Sequence, residues 1–199
     1  FQTLRSTAVH TPDGVATTTV PDGTITTIVE TADPRFGVLA PVTSRTTRTT
    51  GGGVSTESTT RTMTFSGSNL ATLWDQRNVN GNVWSHYFNA ATRRWTNTSP
   101  AGRVTTMSID AAGRPTQYTS ANTANTNLTY DTFGRLCTLQ RGTRTWTHAY
   151  HTLGYLASIT DPLNQVLSYT NHALGRPTQT TLQDNRTIGT SFDGNSNMT

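Results

Sequence analysis

Between Thr145 and Tyr150 the chain alternates strictly, with Trp146, His148 and Tyr150 on one side and Thr145, Thr147 and Ala149 on the other. A two-residue period of this kind marks a strand with one packed face and one polar face. Thr105, Met107 and Ile109 oppose Val104, Thr106 and Ser108 in the same way, and Ile188, Thr190 and Phe192 continue the pattern. No stretch shows a helical apolar period. The pattern therefore predicts strands from end to end and no amphipathic helix.

The strands are punctuated at a fixed interval. Asp110-Ala111-Ala112-Gly113-Arg114 and Tyr130-Asp131-Thr132-Phe133-Gly134-Arg135 are clean copies of one block. Tyr150-His151-Thr152-Leu153-Gly154-Tyr155 and Asn171-His172-Ala173-Leu174-Gly175-Arg176 are variants, and Phe192 to Asn197 is a worn copy with Ser196 at the Gly position. That position recurs at 113, 134, 154, 175 and 196, a near-constant step that marks stacked repeats. Phe88 to Arg93 falls in the same register upstream, with Thr92 at the Gly position. Asp at the first position of a turn accepts a backbone N–H two residues on, and Gly at the fourth takes the left-handed conformation that closes a hairpin with a bulge. Asp110, Gly113, Asp131, Gly134, Gly154 and Gly175 are thus expected to be structural turn residues.

A second set of turn residues lies midway between these: Asn80-Gly81, Ala101-Gly102, Asn125 to Asn127, Arg141-Gly142, Asp161 to Asn164 and Asp184-Asn185. Each period then holds two turns and two strands. The expected fold is all-β, a continuous antiparallel meander of hairpin repeats, each about 21 residues long. Residues 1–65 read as a degenerate version, punctuated by Pro12-Asp13-Gly14, Pro21-Asp22-Gly23, Asp33 to Gly37 and Gly51-Gly52-Gly53. Linker-like composition occurs only at Thr46 to Ser58, so residues 1–199 are taken as one β region, with any boundary near residue 60.

Composition sharpens this picture. Hydrophobic residues make up 32% of the chain, whereas 45 residues are Thr. Thr suits a pleated surface but cannot build a thick two-layer core. The sheet is therefore expected to draw stability from neighbours, and the chain reads as a segment of a longer polypeptide. No run of 18 apolar residues is present, so no transmembrane helix is expected. Cys137 is the single cysteine. The net charge of +4 comes from 15 arginines with no lysine. Arg114, Arg135 and Arg176 recur at one repeat position, as a structural ladder would. No local basic run with interleaved aromatics marks a nucleic-acid partner.

Tyr130-Asp131-Thr132-Phe133-Gly134-Arg135-Leu136 matches in full the Tyr-Asp-x-x-Gly-Arg-Leu consensus of the RHS or YD-repeat family, which the chain resembles. Thr160-Asp161-Pro162-Leu163-Asn164-Gln165 is similar to the linking turn of that family, with Asn164 replacing Gly. The resemblance covers residues 85–199 well and the earlier part only in texture. It implies a long sheet spiralling into a shell, tube or solenoid wall, as in bacterial shell-forming toxins, wall-associated proteins and teneurin-like adhesion proteins. It also implies a secreted or cell-surface setting. His151, His172 and Tyr155 depart from the consensus, and the aspartate autoprotease core of shell-forming members is not evident.

The candidate chemistry is sparse. Asp13, Asp22, Asp33, Asp110, Asp131, Asp161, Asp184 and Asp193 all sit in turn signatures, which leaves only Asp75, Glu30 and Glu57. A carboxylate-pair hydrolase needs two acids facing one cleft, and Cys137 has no evident base. His151 and His172 are one period apart but occupy the turn Asp position. The expectation is a non-enzymatic segment without cofactor or metal. Its expected partners are neighbouring repeats or copies of itself, with glycans or an encapsulated polypeptide as further candidates. Trp84, Trp95 and Trp146 are the rings most able to stack on sugars, the basis of an alternative reading as a carbohydrate-binding adhesion surface. A fragment of an enzyme is the weakest alternative.

Overall fold

A computed structural model describes residues 6–194 and 197–198. Every regular element among them is a strand, and consecutive strands within each part of the chain pair antiparallel. Ser196, the expected turn residue of the worn last copy, lies outside the described residues. The chain divides into two compact units, residues 1–112 and 113–199.

The first unit is a meander of nine strands: β1 (Thr7–His10), β2 (Val15–Thr19), β3 (Ile25–Asp33), β4 (Gly37–Arg48), β5 (Val54–Ser66), β6 (Asn69–Val79), β7 (Asn82–Asn89), β8 (Arg94–Thr98) and β9 (Val104–Ile109). Strands β3 to β6 run 9 to 13 residues, longer than the repeat allows. Thr46 to Ser58, linker-like in composition, is a hairpin that turns at Gly51-Gly52-Gly53, with Thr46 facing Thr56 and Arg48 facing Val54. Its Thr residues are strand surface, as β-branched side chains prefer. Residue 60 falls inside β5.

The second unit contains β10 (Pro115–Ser120), β11 (Thr126–Tyr130), β12 (Leu136–Arg141), β13 (Arg144–Tyr150), β14 (Leu156–Thr160), β15 (Val166–Asn171), β16 (Pro177–Thr181) and β17 (Thr187–Gly189). Here the repeat is regular. In each period one strand carries a bulge: Cys137, Ala157 and Thr178 are skipped in the pairing of β11 with β12, β13 with β14, and β15 with β16. Such bulges follow from the hairpin that precedes them, which adds one residue to one arm.

Two turns differ from expectation. The turn expected at Asn125 to Asn127 lies earlier, where Thr123 N–H bonds to Ser120 O and Asn122 holds φ 61°. Residues 126 and 127 already belong to β11. Both sites offer Asn, and Asn tolerates the left-handed region better than other side chains. In the upstream copy the left-handed residue is Arg93 (φ 49°), one after Thr92. A β-branched Thr is poorly suited to positive φ.

The interior is thin. Among the described residues Val42, at 8% exposure, is the one apolar side chain classed as buried; Asp33 (3%) and Thr106 are the buried polar ones. Half-buried rows take the place of a core. One row, on the face shared by β5 to β9, runs through Met63, Leu73, Phe88, Trp95 and Met107, each opposite the next.

Candidate functional site: the repeat junction

Asp131 anchors the hairpin between β11 and β12. Gly134 N–H bonds to Asp131 O at 3.0 Å and Asp131 N–H to Arg135 O at 2.9 Å, the pattern of a type I turn closed by a left-handed residue. Asp131 Oδ1 accepts the N–H groups of Phe133 and Arg135, each at 2.9 Å. Its Oδ2 accepts Arg135 Nε at 2.6 Å. Partial burial works to raise the Asp131 pKa, but the Arg135 amide and guanidinium outweigh it and hold the group below its ordinary value. Asp110 caps its turn through Ala112 N–H at 2.9 Å. Gly113, Gly134, Gly154 and Gly175 sit at φ 81°, 84°, 92° and 84°.

The arginine that follows three of these four glycines reaches the next repeat. Arg114 lies over the Tyr130 ring at 4.7 Å, Arg135 over Tyr150 at 4.4 Å and Arg176 over Phe192 at 4.4 Å. Each tyrosine answers with its hydroxyl: Tyr130 donates to Pro115 O at 2.7 Å and Tyr150 to Leu136 O at 2.9 Å. Cation, ring and carbonyl thus lock one hairpin to the next. The guanidinium also passes over the neighbouring turn, so that a Cβ on Gly134 would stand 2.8 Å from Arg114 Nη1.

The departures from the consensus keep this junction by substitution. Tyr155 replaces the arginine, and its ring covers Gly175 so closely that a Cβ there would lie 2.2 Å from Cε1. Asn171 replaces the tyrosine, and its Nδ2 donates to Leu156 O at 3.1 Å, the bond a tyrosine hydroxyl makes elsewhere. His172 replaces the turn Asp, and its Nδ1 accepts Leu174 N–H at 2.8 Å. Arg176 Nε lies 2.6 Å from His172 Nε2. A neutral imidazole offers a single acceptor nitrogen, and the amide bond has the turn geometry. His151 meets Tyr169 O instead, at 3.3 Å. Among the described residues no group of three or more His, Cys, Asp or Glu side chains could hold a metal ion.

In the first unit a charged strut does similar work. Arg61 pairs with Asp75 at 2.6 and 2.8 Å and with Asp33 at 2.8 Å. Asp33 Oδ1 also accepts Arg35 and Phe36 N–H, at 2.7 and 2.8 Å. The Phe36 amide and the Arg61 guanidinium lower the pKa of this buried carboxyl, and the two aspartates raise that of Arg61. The strut engages Asp75, one of the three acids that turn signatures leave over, and Glu57 pairs with Arg77 at 2.7 Å.

The three candidate tryptophans differ in access. Trp84 is 43% exposed on β7. Trp95 is half-buried between His86 (4.3 Å, stacked) and Phe88 (4.7 Å). Trp146 is half-buried opposite Leu139, beside the Asp161–Leu163 turn.

Hairpins locked in series, with carboxylates tied into turns and struts, define a structural β-repeat protein. The chain belongs to the Teneurin YD-shell family, which it matches over residues 2–199. No curated protein matches it. Among solved structures it is similar to one described as the crystal structure of TcdB2-TccC3-TEV, at TM-score 0.51 and 14% identity, over 98% of this chain and 13% of that one. It is also similar, at TM-score 0.46 and 13% identity, to the Photorhabdus luminescens Tc holotoxin pore with the mutation TccC3-D651A, over 98% of this chain and 12% of that one. The chain therefore spans about an eighth of these solved chains. No helix among the described residues is long and apolar enough to cross a membrane.

Proposed function

We propose that this chain is a non-enzymatic wall segment of a secreted or cell-surface protein, and that its work is to present a rigid β surface within a toxin-type shell. The observation that carries the reading is the apolar turn tip. Phe133, Leu153 and Leu174 stand at the same turn position in successive repeats and are 82%, 72% and 77% exposed. Three large apolar side chains at one hairpin end form a row that water alone covers poorly. Adjacent wall of the same polypeptide, or a copy of it, is the fitting cover. A tube or filament would use the same row, and the shell is preferred because the family is defined by shells.

Leu153→Asp tests the reading. The side chain lies outside the hairpin hydrogen bonds, so the 199-residue chain should melt within about 0.5 kcal/mol of the parent, as exposed substitutions do. In a longer polypeptide carrying the segment, the same change should open the wall to protease. Equal protease resistance of parent and variant would refute the wall reading. Turnover of a substrate abolished by changing one Asp or His would refute the non-enzymatic one.

A further inference from the structure

Where Tyr155 and Asn171 replace the consensus pair, a cavity of about 160 Å³ opens to solvent, and nothing in the wall reading uses it. Tyr155, Leu156, Tyr169, Asn171, Gly175 and Pro177 line it. Three of these are the junction residues of their repeat. At the regular junctions a cation, the residue after it and a tyrosine of the next repeat meet: Arg114, Pro115 and Tyr130, then Arg135, Leu136 and Tyr150. Tyr155, Leu156 and Asn171 take the same three places. Where the regular junctions hold a phenol ring, this one holds a short carboxamide.

Neither substituted side chain closes the space, because each is held by its own bond. The Tyr155 hydroxyl donates to Ala173 O at 3.4 Å, which keeps the ring over Gly175. Asn171 Nδ2 donates to Leu156 O at 3.1 Å. The other end of that amide, Asn171 Oδ1, is buried and has no hydrogen-bond partner among the described residues. A buried acceptor left unmade costs free energy, and a guest that brings it an O–H relieves that cost. Two tyrosine rings, Leu156 and Pro177 give the cavity an apolar wall. Its volume of about 160 Å³ matches engineered cavities of about 150 Å³ that take up benzene.

We infer that this cavity binds a phenol, with its ring in the place of the missing tyrosine side chain and its hydroxyl donating to Asn171 Oδ1. The guest supplies at this junction what Tyr130 and Tyr150 supply from the chain itself at the other two. One six-membered ring suits the volume, and the apolar wall suits its faces. The unpaired acceptor favours a phenol over a plain hydrocarbon ring. None of the six lining residues is charged, so an anion or an ammonium group finds no counter-charge there. A phenol reaches the cavity as a free small molecule or as the tyrosine side chain of a partner polypeptide, and the ring and hydroxyl are recognised in the same way.

The test uses the 199-residue chain and the probes p-cresol, toluene and N-acetyltyrosinamide. In a heteronuclear NMR titration p-cresol should bind saturably and move the side-chain amide of Asn171 and the backbone N–H of Gly175. The backbone N–H of Gly134, at a regular junction, should stay in place. Toluene should bind about fivefold more weakly, as expected for one lost hydrogen bond. Asn171→Tyr fills the space from the chain itself and should weaken p-cresol about tenfold or more. Asn171→Leu leaves the space open without the acceptor and should bind p-cresol and toluene alike. Binding of N-acetyltyrosinamide as well as p-cresol assigns the site to a partner's tyrosine; p-cresol binding alone assigns it to free phenols. Failure of p-cresol to saturate, or equal binding of p-cresol and toluene by the parent, would overturn the inference. So would a folded Asn171→Tyr protein that binds p-cresol as the parent does.

Discussion

Adding one methyl group at three equivalent turns should have three different costs. Gly113, Gly134 and Gly175 share a φ between 81° and 84°, so an L-residue at any of them carries the same backbone strain, about 1 kcal/mol. The surroundings differ. A Cβ at Gly113 meets nothing within 4 Å. At Gly134 it meets Arg114 Nη1 at 2.8 Å, the movable end of a long side chain. Displacing it forfeits the contact with the Tyr130 ring, about 0.5–1 kcal/mol. At Gly175 it meets three ring carbons of Tyr155 at 2.2 to 2.7 Å. An aromatic ring cannot yield at one atom, so the whole side chain must swing out, and overpacking of this kind costs a further ~1–3 kcal/mol. The expected order is Gly113→Ala, then Gly134→Ala, then Gly175→Ala, at about 1, 2 and 3 kcal/mol. For a chain of this size each kcal/mol lowers Tm by about 2–4 °C. Thermal and urea unfolding followed by circular dichroism reads the series. A double-mutant cycle isolates the clash: in an Arg114→Ala background, Gly134→Ala should cost no more than Gly113→Ala does. Three equal shifts, or no relief in that background, would show that the arginine does not lock the turns together.

Other outcomes follow from named contacts. Arg61→Met leaves Asp33 buried without its cation and should cost about 3 kcal/mol or more by urea unfolding. Asp33 and Asp131 have folded pKa values below the ordinary 3.8, so their contribution is complete above that value and is lost as pH falls through the folded values; an acid titration of Tm should show the loss below about pH 4, and Asp131→Asn should blunt it. His172→Asp restores a carboxylate that can accept Leu174 N–H and pair with Arg176 together, and should raise stability by about 0.5–1 kcal/mol; a melt unchanged or lowered would mean that the second acceptor contributes nothing to the turn. The 199-residue chain should self-associate through its apolar turn tips at high concentration, a tendency that sedimentation should show reduced by Leu174→Asp.

The strand-and-turn period of the second unit can be read in the sequence because each turn demands a residue type at a fixed place. Nothing comparable sets the longer strands of the first unit. The length of β5 and β6 comes from pairing Glu57 to Ser66 against Asn69 to Val79, and no spacing announces it. For the same reason the row of Asp75, His86 and Asn97 is hidden in the sequence: the three are scattered along the chain and meet only through register. The turn at Ser120 to Thr123 is obscured by two nearby Asn-Thr pairs of equal merit. Asn171 and His172 look like lost consensus residues in the sequence. Their roles emerge only once Leu156 O and Leu174 N–H are seen within reach.

The Tyr–Arg junction has a mechanical consequence. Pulled apart from its ends, a meander joined only by ladder bonds would peel hairpin by hairpin. Where an arginine of one hairpin also clasps a ring in the next, peeling must break both together, and the load is shared across a longer stretch. The clasp at Tyr155 and Asn171 lacks the cation, so it is the weakest link of the series. Under tension the second unit should yield first between β14 and β16, leaving the hairpins joined by Arg114 and Arg135 intact.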